Sequence, residues 1–212
     1  QQNGVRYDTI HAPFKDIIND MWDEGECAER TLRTLCDAVD RCEQVGVPIA
    51  VVHLSTKKAP NITDAGYRNF SALVEYAAKR GVILAFENQR WLANLAWVFE
   101  YLEAPNVRFC WDCGHEGCFT NGRQYMPLFA DRLICTHIHD NTGVFNSDNH
   151  WLPFEGQMDY VRVADQLRAS GYRGSLMLEV SCDAAIDGEL SPEDYLKKAY
   201  SAAETLRNMI GG

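Results

Sequence analysis

Phe70-Ser-Ala-Leu-Val-Glu-Tyr-Ala-Ala-Lys-Arg-Gly81-Val-Ile-Leu-Ala-Phe-Glu87-Asn88 carries one complete repeat of the pattern that decides the fold. Phe70, Leu73, Val74 and Ala77 fall at i, i+3, i+4 and i+7, one face of a helix. Gly81 supplies the stop, since glycine takes the left-handed backbone of a helix end at little steric cost. Val82–Glu87 follows as a short run apolar on both parities, which is how a strand covered on both faces reads. The run closes on a carboxylate.

The same two patterns alternate outward in both directions. Strand-like runs are predicted at Val5–Ala12, Pro48–Leu54, Val82–Glu87, Val107–Asp112, Leu133–His139 and Ser175–Val180. Helical spacing recurs at Leu32, Leu35, Cys36 and Val39, and again at Leu95, Val98, Phe99 and Leu102. Thr63 precedes one helix as a cap, and Ser191-Pro192 places a cap and an N1 proline before the last. Gly46 and Gly171 are further stops. No linker or shift in composition divides the 212 residues, so residues 1–212 read as one domain.

Strict βα alternation requires a parallel sheet with helical crossovers. No GxGxxG or GxxxxGK[ST] follows any run, which removes the common nucleotide-binding reasons for an open sheet. Polar residues instead close every run: His11, His53, Glu87, Asp112, His137 and Glu179. A barrel brings all its strand ends to one mouth, so the expected fold is an α/β (β/α)8 TIM barrel. The spacing from His11 to Glu179 gives ~34 residues per unit, and eight such units need roughly 270 residues. Six strands are visible, so the first two βα units are expected to be missing. The apolar edges this leaves would be covered by a second chain, as in a homo-oligomer.

Composition narrows the function. Hydrophobic residues make up 46% of the chain, enough for a full core and too many for disorder. No apolar run reaches the roughly 18–20 residues of a membrane span, and Gln1-Gln2-Asn3-Gly4 opens no signal peptide. With 20 Lys and Arg against 30 Asp and Glu, the net charge of −10 disfavours nucleic acid as a partner. The eight cysteines read as buried thiols of a reduced, cytoplasmic protein. Cys110-Trp-Asp-Cys113 lacks the second pair a zinc site needs. The triplets Asn61-Ile-Thr63 and Asn69-Phe-Ser71 match the glycosylation pattern by chance.

All six histidines (His11, His53, His115, His137, His139 and His150) fall at a strand end or in the loop after one, and none in a predicted helix. One such histidine would read as structural; six in the same topological place point to a site. Glu87, Asp112 and Glu179 would repel one another at a shared mouth and resist joint ionisation. A divalent metal resolves this, with an imidazole from the face shared by Cys135, His137 and His139 as a further ligand. A charge network closed by Arg90 or Arg123 is the alternative.

Together, His11-Ala-Pro, Val52-His53, Phe86-Glu87-Asn88, Asp112-Cys-Gly-His115, His137-Ile-His-Asp140-Asn141, Asp148-Asn-His150-Trp-Leu-Pro-Phe-Glu-Gly156 and Leu178-Glu179 resemble the xylose isomerase-like barrel superfamily. That superfamily includes ketose 3-epimerases, inosose isomerases and dehydratases, and the endonuclease IV-type AP endonucleases. The resemblance implies one divalent metal, Mn²⁺, Mg²⁺, Co²⁺ or Zn²⁺, held by Glu87, Asp112, His137 and Glu179. His137 is preferred to His139 because the family pattern is His-x-x-acid. His11, His53, His115 and His150 are the implied substrate contacts. The loop Asp148–Gly156 resembles the segment folding over the mouth, and its Asp148 and His150 match a pair that holds an extra metal in the endonucleases.

The expected activity is a sugar or cyclitol isomerase or epimerase, with Glu87 and Glu179 exchanging a proton at carbon beside a metal-bound carbonyl and hydroxyl. A small sugar is then the partner. The alternatives are an endonuclease IV-like phosphodiesterase, whose multi-metal residues are matched, and a truncated subunit that binds metal or sugar without turnover.

Overall fold

The computed structural model describes residues 4–120, 122–182 and 190–211; Gln1, Gln2 and Asn3 lie outside them. Six strands are present among the described residues: β1 (Thr9–His11), β2 (Ile49–Val52), β3 (Ile83–Glu87), β4 (Val107–Asp112), β5 (Leu133–Ile138) and β6 (Met177–Leu178). They follow in sequence order, and the pairs β1/β2, β2/β3, β3/β4 and β5/β6 run parallel. Sequential order without reversal is that of a βα-barrel sheet, where a doubly wound sheet would reverse. Each strand lies inside a predicted run. The first run is shorter than expected, because Val5 and Tyr7 are exposed and bury nothing that would extend pairing. The last is shorter too, although Glu179 N still donates to Ile138 O beyond the end of β6. No helix of the described residues is long and apolar enough to cross a membrane.

The chain forms two compact units, Gln1–Cys110 and Trp111–Gly212. In the first, α1 (Glu26–Val45), α2 (Asp64–Ala78) and α3 (Leu92–Tyr101) alternate with the strands. Burial of all of β2 and most of β3 matches their two-sided apolar reading. Aromatic rings fill the space under α2 and α3: Trp22 lies 5.1 Å from Phe70 and 4.9 Å from Trp97, centroid to centroid. The Trp22 indole N–H, which burial would otherwise orphan, donates to Leu54 O at 2.6 Å. Thr63 caps α2 as expected, accepting from Gly66 N at 3.0 Å and donating to Trp22 O. Gly66 has to be glycine, since a Cβ there would stand 2.3 Å from the Trp22 ring.

The second unit holds α4 (Cys113–Phe119), α5 (Met126–Phe129), α6 (Tyr160–Ser170) and α7 (Pro192–Ile210), with α6 packed on α7. Glu116 is buried, and its charge is satisfied three ways. It accepts from Trp111 Nε1 at 3.0 Å, from Tyr125 N at 2.8 Å and from Arg162 Nη1 at 2.6 Å. The segment after β5 is tied down at both ends. Asp140 and Trp151 exchange backbone hydrogen bonds of 2.8 and 2.9 Å, and Asp140 Oδ1 accepts from Asn141 N and Met158 N. Gly156 permits the return pass, since a Cβ there would meet Asn141 O at 2.2 Å.

Two expectations need correction. His115 is in a helix, α4, because Asp112 caps a turn immediately after the strand. The thiols are not uniformly buried: Cys42, Cys110, Cys113, Cys118 and Cys135 are, whereas Cys27 and Cys182 are exposed and Cys36 is intermediate.

Candidate metal and substrate site

Every strand places its polar residue where the sequence puts it. His11, Glu87 and Asp112 are the last residues of β1, β3 and β4, His53 and Glu179 directly follow β2 and β6, and His137 is next to last in β5.

In the first unit, parallel register sets His11, His53 and Glu87 side by side. Glu87 is 1% exposed, and its Oε2 lies 2.9 Å from His53 Nε2 and 3.2 Å from His11 Nε2. The two imidazole nitrogens are themselves 3.2 Å apart. The Phe14 ring lies 3.9 Å from that of His53, closing one side with apolar surface. A buried carboxylate is costly without donors, and the two rings supply them. The three ligand atoms lie within 4.8 Å of one another, close enough to hold one cation or to grip a hydroxyl.

In the second unit Asp112 is the pivot. Its Oδ1 accepts from His115 N at 2.6 Å, capping α4, and the carboxylate is wholly buried. Its Oδ2 lies 3.9 Å from His137 Nδ1, which is 2.9 Å from Glu179 Oε2. Asp112, His137 and Glu179 therefore converge. On the other side of Asp112, His139 Nε2 stands 3.1 Å from Oδ1. There His115, His139, Asp148 and His150 form a second cluster with ligand atoms within 4.8 Å of one another. Burial opposes the charge on Asp148, but contact with the His115 and His150 rings outweighs it and holds the carboxyl well below the usual carboxylate range. Burial likewise disfavours charge on His150; Asp148 and the Glu179 carbonyl prevail and raise it to about 9.

The pattern His-x-x-acid set His139 aside, yet the structure puts it in the second cluster. Strand parity puts His139 on the same face as His137, but parity alone does not say which carboxylate each ring meets.

The chain belongs to the xylose isomerase-like TIM barrel family, whose model matches residues 1–207. An uncharacterised protein of Sinorhizobium fredii, y4fM, is 28% identical over 191 residues, covering 83% of this chain and 60% of that protein. The chain thus spans about three fifths of this curated relative's length. Among solved structures, a D-tagatose 3-epimerase-like protein superposes with a TM-score of 0.73 at 21% identity, covering 96% of this chain and 80% of the other. D-psicose 3-epimerase of Clostridium cellulolyticum H10, crystallised with D-tagatose, gives 0.74 at 13% identity, with 93% and 76% covered. At these identities the likeness is one of fold.

Proposed function

We propose that the chain acts as a metal-dependent sugar or cyclitol isomerase or epimerase that moves a proton at carbon. The observation that carries this reading is the convergence of Asp112, His137 and Glu179. Glu179 Oε2 is buried, accepts no hydrogen bond among the described residues and faces a fully buried imidazole. A carboxylate oxygen left that way is costly, and two carboxylates with an imidazole are the donor set a divalent cation takes. Asp112, His137 and Glu179 would hold the ion, with Glu87 as the fourth ligand the sequence resemblance implies. Mn²⁺, Mg²⁺, Co²⁺ and Zn²⁺ all suit such a set. When bound, the ion polarises a carbonyl and its neighbouring hydroxyl.

The remaining work falls to the chain's own side chains. Glu87 and Glu179 take and return the proton at carbon, each having a second oxygen beyond the one a metal would use. His11 and His53, paired through Glu87, orient substrate hydroxyls. Phe14 against His53 keeps water from that side, which strengthens the hydrogen bonds made there.

A screen of ketoses, aldoses and inososes with each of the four metals tests the reading. Turnover in D₂O should place deuterium at the reacting carbon. Product without solvent deuterium, once fast return of a shielded proton is excluded, would overturn the roles of Glu87 and Glu179. Cleavage of duplex DNA at abasic sites, with no sugar turned over, would replace the reading by the phosphodiesterase alternative; the net charge of −10 argues against that outcome.

A further inference from the structure

We infer that a groove between α2 and α3 is a docking site for a protein segment carrying arginine, held there by its guanidinium group. The groove shares no residue with the candidate metal and substrate site, and the inference does not depend on the activity proposed above.

The groove lies wholly in the first unit. Its volume is about 830 Å³, between the start of α2 and one side of α3. Ala93 and Ala96 add little bulk to that side, so a visiting chain can approach α3 closely. Aromatic rings make up much of the rest. Tyr67 and Tyr101 are 48% and 60% exposed, an unusual place for large rings. Trp97 is buried and stacks on Tyr101 with centroids 6.0 Å apart and planes 26° apart. The stack fixes the Tyr101 ring while most of it stays in water.

Two carboxylates complete the lining, with no lysine or arginine beside them. Asp64 and Glu100 are exposed, and neither side chain has a hydrogen bond or ion pair among the described residues. Asp64 is the first residue of α2 and suits the positive end of that helix. Glu100 has no such reason to be where it is. It is the next-to-last residue of α3, at the negative end of the helix dipole, and no basic residue accompanies it in that turn. An acid in that position calls for a cation from elsewhere.

The same unit contains a worked case of what answers a tyrosine beside an acid. Arg80 lies over the Tyr76 ring, 3.5 Å from guanidinium carbon to centroid, and its Nε donates to Asp40 Oδ1 at 2.5 Å. A planar guanidinium can stack on a ring and bond a carboxylate at once, which a compact ammonium does less well. Tyr101, Glu100 and Asp64 offer those two kinds of partner again, without a guanidinium from this chain.

The openness of the groove decides the source of that guanidinium. Pockets for small ligands usually bury about 70–90% of the ligand surface, which a groove between two surface helices does not. A chain segment adds contacts to Tyr67 and to the alanines that a free ion lacks. A second copy is the poorer occupant. Two-fold association sets a patch against itself, so Asp64 and Glu100 would meet like charges with no base in the groove to answer them.

The test is calorimetric titration of the full chain at physiological salt. The probes are a seven-residue peptide alternating arginine and alanine, its lysine and citrulline counterparts, and N-acetylarginine methylamide. The arginine peptide should bind saturably, more tightly than the lysine peptide and the single-residue derivative, and the citrulline peptide should not bind. Glu100→Gln and Tyr101→Ala, both at exposed positions, should each weaken binding about two- to fivefold. Glu204→Gln, an exposed acid on α7, should leave it unchanged. If Tyr101→Ala does not fold, Glu100→Gln alone decides. Absence of saturable binding, equal binding of the lysine peptide, or an equal loss in Glu204→Gln would overturn the site. The free derivative binding as tightly as the peptide would overturn the protein partner in favour of a small guanidino compound. A parent dimer in sedimentation that Glu100→Gln tightens or Tyr101→Ala dissociates would overturn it in favour of a second copy.

Discussion

Replacing Gly114 by Ala tests the packing around His139 with one methyl group. Gly114 lies in α4, and a Cβ built on it would stand 2.1 Å from His139 Cε1, 2.3 Å from Nδ1 and 2.4 Å from Nε2. Ordinary contact begins near 3.4 Å, so the ring has to retreat by more than 1 Å. It has little room: the ring is fully buried and stacked on His150 with centroids 4.0 Å apart. Overpacking of this kind costs about 1–3 kcal/mol, and three ring atoms overlapped at once argue for the upper end. Alanine in a helix returns up to about 1 kcal/mol over glycine. The net loss is then about 2 kcal/mol, or about 4–8 °C in Tm for a chain of this size. Thermal unfolding followed by circular dichroism reads the effect. A Tm equal to or above that of the parent chain would refute the reasoning, because helix propensity alone predicts a rise.

The other expectations follow from the same contacts. Glu116→Ala leaves Trp111 Nε1, Tyr125 N and Arg162 without their shared acceptor and should cost about 3–5 kcal/mol in denaturant unfolding. A loss below about 1 kcal/mol would mean that water replaces the carboxylate. Glu179→Gln should lower turnover by roughly 10²–10⁴ while leaving substrate affinity much less changed, as steady-state kinetics would show. A thiol reagent should modify Cys27 and Cys182 fast and Cys36 more slowly, burial and Asp40 both raising the Cys36 thiol. The five buried thiols should react only on unfolding, and fast reaction at Cys113 in the folded chain would contradict its burial.

The strands were legible because parallel strands covered on both faces need unbroken apolar runs, and Val82–Glu87 and Val107–Asp112 supply them without ambiguity. Long helices announced themselves by period and by caps such as Thr63 and Ser191. The seven-residue α4 did not. It carries two glycines, Gly114 and Gly117, and too few turns to show a period. Its one local signal was Asp112, read for its charge and not for its capping oxygen. The strand-end residues could be found because barrel topology places polar groups at strand ends. Parity marks His139 together with His137, and only the His-x-x-acid pattern separates them. The role of His139 depends on a loop ten residues further on, and loop paths are set by ties such as Asp140 to Trp151 that leave little trace in composition.

Asp112 spends one oxygen on the first turn of α4, and that limits which acid can stand at the end of β4. With Oδ1 accepting from His115 N, Oδ2 is the less encumbered of the two oxygens. The restriction rules out a longer acid in its place: glutamate adds a methylene that would move the accepting oxygen off the amide it now meets. Aspartate is therefore required by the backbone before any ion is considered. The proposed ion, if met through Oδ2 alone, would keep more of its coordination sphere open than a chelated one.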